Sequence, residues 1–300
     1  MRAAALLVAL GTALLLAACG GSEPADPDLV FVSTRDGDYA VYGVGASGGE
    51  EERLTDAEVD PATPQGLFFQ IDPAWSPDGT TIAFASKRGG SLDVYAMSAD
   101  GSGTRRLTST KEDEAQPTWS PDGDRIAFAR GASSRVFVMD ADGSGAHRLT
   151  DAEAEEAEPA WSPDGRWIAY ARREPGSSIR ELWLVHPDGS QPRRLTRLRG
   201  VAQAPAWSPD GRRIVFSANV SGKGFDIYMI GVDGREVKLV TSRDDSFEPS
   251  WSPDGKTIAF SSVGALFLID LENGEERMLT DPDNNDSSPA WAPRTEGEDS

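Results

Sequence analysis

The 300-residue chain holds 49 acidic against 29 basic residues, a formal charge of −20. A surface of that sign repels nucleic acid and anionic headgroups, which argues against DNA or RNA binding. It favours cationic ligands, metal ions or basic partner surfaces, besides keeping the protein soluble. One cysteine, Cys19, excludes an intramolecular disulfide.

From the N-terminus, Arg2 precedes an apolar run from Ala3 to Ala18 that only Gly11 and Thr12 interrupt. A membrane span needs roughly 20 apolar residues, so this run suits the hydrophobic region of a secretory signal. It ends in Leu16-Ala17-Ala18-Cys19, which resembles the bacterial lipobox. The resemblance implies that residues 1–18 are removed as a lipoprotein signal and that Cys19 is lipidated; an ordinary signal peptide is the alternative. Residues 19–28, rich in Gly, Pro and acid, are expected to act as a flexible tether. With the cysteine acylated, no thiol nucleophile or thiolate zinc site is expected.

The remainder is organised by a repeat. Pro117-Thr118-Trp119-Ser120-Pro121-Asp122-Gly123 has close copies from Pro73, Pro159, Pro205 and Pro249 and a decayed one from Pro289. Each copy is followed by a second strand signal such as Ile126-Ala127-Phe128, then a third such as Asp93-Val94-Tyr95-Ala96-Met97. A turn such as Asp100-Gly101-Ser102-Gly103 leads to a fourth strand closing on Arg106-Leu107-Thr108. The chain ends complement one another. Leu29 to Ser33, Tyr42 and Arg53-Leu54-Thr55 match strands two to four, whereas Trp291 ends a first strand with only a polar tail, 294–300, beyond it. Joined, they complete one unit, as ring closure requires. The fold predicted for residues 29–293 is therefore all-β, a six-bladed β-propeller with one composite blade closed by N- and C-terminal strands.

The repeat Pro-Ala-Trp-Ser-Pro-Asp-Gly, with Ile-Ala-Phe, Asp-Val-Tyr and Asp-Gly-Ser-Gly, resembles that of the TolB-type propellers. The resemblance implies an envelope protein that docks partners such as a peptidoglycan-associated lipoprotein. The N-terminal α/β domain of the family's namesake is not expected here, since the lipobox and tether stand in its place.

An enzyme has little material. His147 and His186 occupy different repeat positions and read as surface substitutions. Gly45-Ala46-Ser47-Gly48-Gly49 fits the nucleophile-elbow pattern, but Gly48 aligns with Gly101 of a hairpin turn. Asp140-Ala141-Asp142-Gly143-Ser144 resembles a calcium loop without its full ligand set. No cofactor is therefore expected, with Ca²⁺ as the one ion this loop or a carboxylate ring suggests.

Function is expected where the repeat breaks. Between the terminal Thr of one unit and the Pro of the next lie 8, 8, 8, 7 and 8 residues, but 17 from Asp56 to Asp72. That long loop carries Leu67, Phe68 and Phe69, a candidate partner contact or an apolar cover for the channel. The residues before the repeat prolines are Asp72, Gln116, Glu158, Ala204, Glu248 and Ser288. Asp72, Glu158 and Glu248 thus fall on alternate blades, a candidate channel-mouth ring for a cation or basic ligand, or an ordinary solvated acidic rim. Glu112, Asp113, Glu114, Glu155, Glu156, Asp244 and Asp245 flank it, while Arg197 and Arg199 occupy the one such loop without acid. The leading expectation is a monomeric, lipid-anchored envelope propeller that binds a protein, peptide or cell-wall partner on its loop face. The alternative is an envelope hydrolase or lyase working through the mouth carboxylates.

Overall fold

A computed structural model describes residues 27–55, 70–220 and 222–294. Cys19 and the Leu67-Phe68-Phe69 cluster lie outside them. Six four-stranded antiparallel sheets stand as blades around an axis. We number as blade 1 the composite sheet, in which Ser287–Trp291 pairs with Leu29–Ser33 through Leu29 to Trp291 and Val30 to Ala290. The innermost strands of blades 2 to 6 are Gln70–Trp75, Glu114–Trp119, Glu155–Trp161, Val201–Trp207 and Phe247–Trp251. The predicted propeller and its closure are both present. Among the described residues the sole helical segment is one 3₁₀ turn, Pro282–Asn284.

The second strand of each blade lies between two neighbouring blades and is covered on both faces, so its apolar residues run on without alternation. Ile82, Ala83, Phe84 and Ala85 are fully buried, as are Ile126, Ala127 and Phe128. The core consists of inter-blade layers: Val30 and Val41 of blade 1 pack with Trp75, Ile82 and Phe84 of blade 2. Burying one such Phe contributes roughly 1.5–3 kcal/mol.

The loudest motif is framework. In Trp-Ser-Pro-Asp-Gly, Ser76 Oγ donates to Asp78 Oδ1 at 2.6 Å and accepts from Thr81 N at 2.9 Å, while Gly79 N donates to Ser76 O. The proline of one turn lies against the glycine of the next: a Cβ on Gly165 would stand 3.3 Å from Pro121. The Asp-Gly of the third-to-fourth-strand hairpin is more tightly held. Gly101 has φ +82, and a Cβ there would meet the carbonyl oxygen of Leu54 in the preceding blade at 2.1 Å. At the outer edge, Thr108 Oγ1 accepts from Val94 N, and Arg106 donates to Thr108 O and Asp93.

The antiparallel course of each blade sends these two turn types to one end of the propeller, the hairpin face. The second-to-third-strand turns and the inter-blade loops leave at the other, the loop face.

Candidate functional site at the channel mouth

The loop-face end of the axial channel is a recess of about 200 Å³ lined by all six repeat prolines and the residues before them. The prolines are buried and their predecessors half-buried. The local reason is a bulge. In blades 2 to 6 the pairing of the first and second strands shifts register across this dipeptide, as between Ala157 and Ala160. All six predecessors adopt left-handed backbone, with φ of 55° at Asp72, 58° at Gln116, 55° at Glu158, 49° at Ala204, 52° at Glu248 and 51° at Ser288. That conformation costs a non-glycine residue on the order of 1 kcal/mol.

Offsetting contacts run around the ring. Asp72 Oδ2 accepts from Gln116 N at 3.2 Å, Gln116 Oε1 from Glu158 N at 3.0 Å, and Glu158 Oε2 from Ala204 N at 2.8 Å. Ala204 has no acceptor to offer onward, so Glu248 N donates instead to Ser217 Oγ at 3.0 Å. Glu248 Oε2 then accepts from Ser288 N at 2.7 Å and from Ser261 Oγ at 3.2 Å. Asp72, Gln116, Glu158 and Glu248 thus each tie their blade to the next. The sequence pattern marks the position but not the relay, which depends on a backbone conformation that proline's predecessor ordinarily avoids.

The structure brings Asp72, Glu158 and Glu248 together at this one mouth. Burial pushes the Asp72 carboxyl up to about 7, helped by the charges of Glu248 and Glu158 and opposed by the Gln116 N–H. Burial likewise raises Glu158, against the Ala204 N–H and the guanidinium of Arg180, whose Nη1 lies 4.0 Å from Glu158 Oε1.

Most flanking acids are engaged elsewhere. Glu114 is buried and bonded to Arg130 at 2.6 Å; Glu155 pairs with Arg173 and Arg180; Glu156 takes the Thr150 hydroxyl. Asp113 and Asp245 accept from Leu92 N and Val263 N. Arg197 and Arg199 are exposed.

The other sequence candidates lie on the hairpin face. His186 packs against Trp167 in a tilted arrangement with ring centroids 4.1 Å apart, and His147 Nδ1 lies 3.0 Å from Gly145 O. Gly48 N donates to Gly45 O in a hairpin turn. Asp142 Oδ1 accepts from Ser144 N and Asp140 Oδ2 from Ser144 Oγ, so both carboxylates serve their turn. Among the described residues, no group of three or more His, Cys, Asp or Glu side chains is placed to hold a metal ion. The hairpin-face half of the channel is lined by Trp75, Trp119, Trp161 and Trp207 with repeat prolines. Of these, Trp119 and Trp207 donate Nε1 to Ala74 O and Ala160 O of neighbouring blades.

A family model, the TolB beta propeller domain, matches residues 64–181 and 177–297, most of the chain. The chain belongs to the TolB β-propeller family. A Tol-Pal system protein TolB of Anaeromyxobacter dehalogenans (strain 2CP-C) is 49% identical over 43 residues, 14% of this chain and 10% of that protein. One of Syntrophus aciditrophicus (strain SB) is 44% identical over 39 residues, 13% of this chain and 9% of that protein. These alignments therefore span about a tenth of the relatives' length. Among solved structures, TolB from Acinetobacter baumannii superposes with a TM-score of 0.73 at 21% identity, covering 89% of this chain and 66% of that one. An oligogalacturonate lyase in complex with manganese gives 0.59 at 15% identity, covering 83% and 73%. Such identities show a shared fold. The TolB-type repeat thus accounts for the framework.

Proposed function

We propose that this TolB-family propeller is a lipid-anchored envelope protein. It binds a protein, peptide or cell-wall partner at the loop-face mouth of its channel, with a basic group seated among Asp72, Glu158 and Glu248. The observation that carries the reading is the convergence of three carboxylates, one from every second blade, in a single half-buried recess. A cationic group there would relieve the repulsion and desolvation that raise the Asp72 and Glu158 carboxyls. Size argues the same way. Pockets that engulf a small-molecule ligand run to roughly 300–1,000 Å³. About 200 Å³ suits the end of a lysine or arginine side chain better than a sugar chain held for cleavage. The matched relatives are named as Tol-Pal system proteins, in keeping with an envelope assembly. The Leu67-Phe68-Phe69 segment would extend the contact, and Cys19 would hold the protein to the membrane.

A pull-down from envelope extract tests the reading. Partner recovery should fall sharply with Asp72→Asn, Glu158→Gln and Glu248→Gln combined, and again when residues 67–70 are deleted. Recovery should also weaken from pH 8 to pH 6, because protonating Asp72 removes negative charge from the mouth. An unchanged partner list in the triple variant would sink the ring as the site. Cys19→Ser should release the protein from membranes, and continued retention would argue against the lipid anchor.

A further inference from the structure

The composite blade fixes where the tether leaves the propeller. Leu29–Ser33 is the second strand of blade 1, and it begins at the hairpin face beside the end of Ser287–Trp291. The residues just before it are pinned there. Asp28 O accepts from Ala292 N at 2.8 Å, and Asp28 Oδ2 accepts from Ala46 N at 2.7 Å in the third-to-fourth-strand turn. Pro27 lies so close to Gly43 that a Cβ on that glycine would stand 2.7 Å away. Blade 1 also has no Ser-Pro-Asp-Gly turn between its first two strands, since they come from opposite ends of the chain. A recess of about 900 Å³ remains there, with Pro27, Asp28, Trp291 and Arg294 in its wall. The chain therefore enters through a gap in the hairpin face.

Covalent geometry limits how far the tether reaches from that gap. Pro27 is eight residues after Cys19. A fully extended chain advances at most about 3.5 Å per residue, so an anchor at Cys19 lies within roughly 28 Å of Pro27. To rest the loop face on a bilayer, the tether would have to pass the two outer strands of its blade, about 10 Å at ~4.8 Å per strand. It would then descend along strands of five to seven residues, roughly 20 Å at ~3.3 Å per residue. Outer side chains and the inter-blade loops, most of them eight residues long, lengthen the path further. The route exceeds the reach.

We infer that the lipidated protein stands on its membrane by the hairpin face or by the edge of blade 1 adjoining it, with the mouth formed by Asp72, Glu158 and Glu248 turned away from that bilayer. The inference rests on the lipoprotein reading. It deepens the proposed function by fixing the kind of partner. The mouth meets a component arriving from the aqueous side, and neither lipid nor a protein embedded at headgroup level in the same membrane can reach it.

The test uses the full acylated protein in vesicles of phosphatidylethanolamine and phosphatidylglycerol. Ser47→Cys places a fluorophore on the hairpin face and Ser109→Cys places one on the loop face; both positions are exposed. Quenching by a headgroup-bound nitroxide should be several-fold stronger at position 47. A ten-residue Gly-Ser insertion between Asp26 and Pro27 should shrink that difference. Acylated protein quenched as strongly at position 109 as at 47 overturns the orientation and leaves the lipoprotein reading standing. A difference untouched by the insertion overturns the tether as its cause. Mass spectrometry finding no acyl group on Cys19 removes both readings.

Discussion

The two faces of the propeller use the same residue type in opposite ways. On the hairpin face, Asp78, Asp122, Asp210 and Asp254 each take a serine hydroxyl and a backbone N–H from their own turn. Those donors, the hydroxyl first, hold the carboxyls below the ordinary aspartate value. On the loop face, Asp72 sits at the same repeat position in its blade as Glu158 and Glu248 in theirs. Burial and its two acidic neighbours push it up to about 7. A carboxylate whose donors lie within its own turn is a structural part, whereas one held in partial desolvation against like charges retains interaction energy for a ligand. Repetition shows the same division. The hairpin-face acids recur in nearly every blade, while the loop-face acids alternate with Gln116, Ala204 and Ser288.

Three substitutions, the first paired with a control, probe this contrast in decreasing order of expected effect. Gly101→Ala should be the most damaging, at about 3 kcal/mol or more, because it combines a positive φ with a clash on Leu54 O in the preceding blade. Gly176→Ala, with φ +75 and open space around it, should cost only about 1 kcal/mol. Urea unfolding of both variants checks the ratio, and equal losses would show that inter-blade contact at the hairpin turn matters little.

Asp72→Asn should act through pH. The folded-state carboxyl is raised from 3.8 to about 7. Its contribution to stability is therefore complete below about pH 4 and is lost as pH rises through 7. The wild type should accordingly lose about 2 kcal/mol relative to the variant between pH 4 and pH 8, a figure reduced for the open side of the recess. A constant difference across that range would mean that Asp72 titrates normally. Ser208→Ala should cost about 1 kcal/mol, since Oγ both donates to Asp210 and accepts from Arg213 N. NMR titration should show the Asp210 carboxyl rising toward its ordinary value in that variant.

Much of this molecule is written locally. The Ser, Asp and Gly of each turn bond or contact partners within five residues or in the adjoining turn. The apolar runs mark strands covered on both faces, and the complementary half-repeats at residues 29–55 and 287–291 announce closure. The candidate ring was also visible as a column before each proline. Less visible was which acids were spoken for. Glu114, Glu155 and Glu156 look as available in the sequence as Glu158, yet Arg130, Arg173, Arg180 and Thr150 occupy them. Those partners lie up to 25 residues away, and only strand register brings them alongside.

The sequence alone therefore determined the number of blades, the closing blade and the framework role of the tryptophan motif, because these follow from periodicity and short-range bonding. The tertiary structure decided which carboxylates remain at the mouth, how Ser217 substitutes for the acceptor that Ala204 lacks, and at which face Pro27 and Asp28 join the ring. Those outcomes depend on the distances among six blades packed around one axis, which a one-dimensional repeat does not encode.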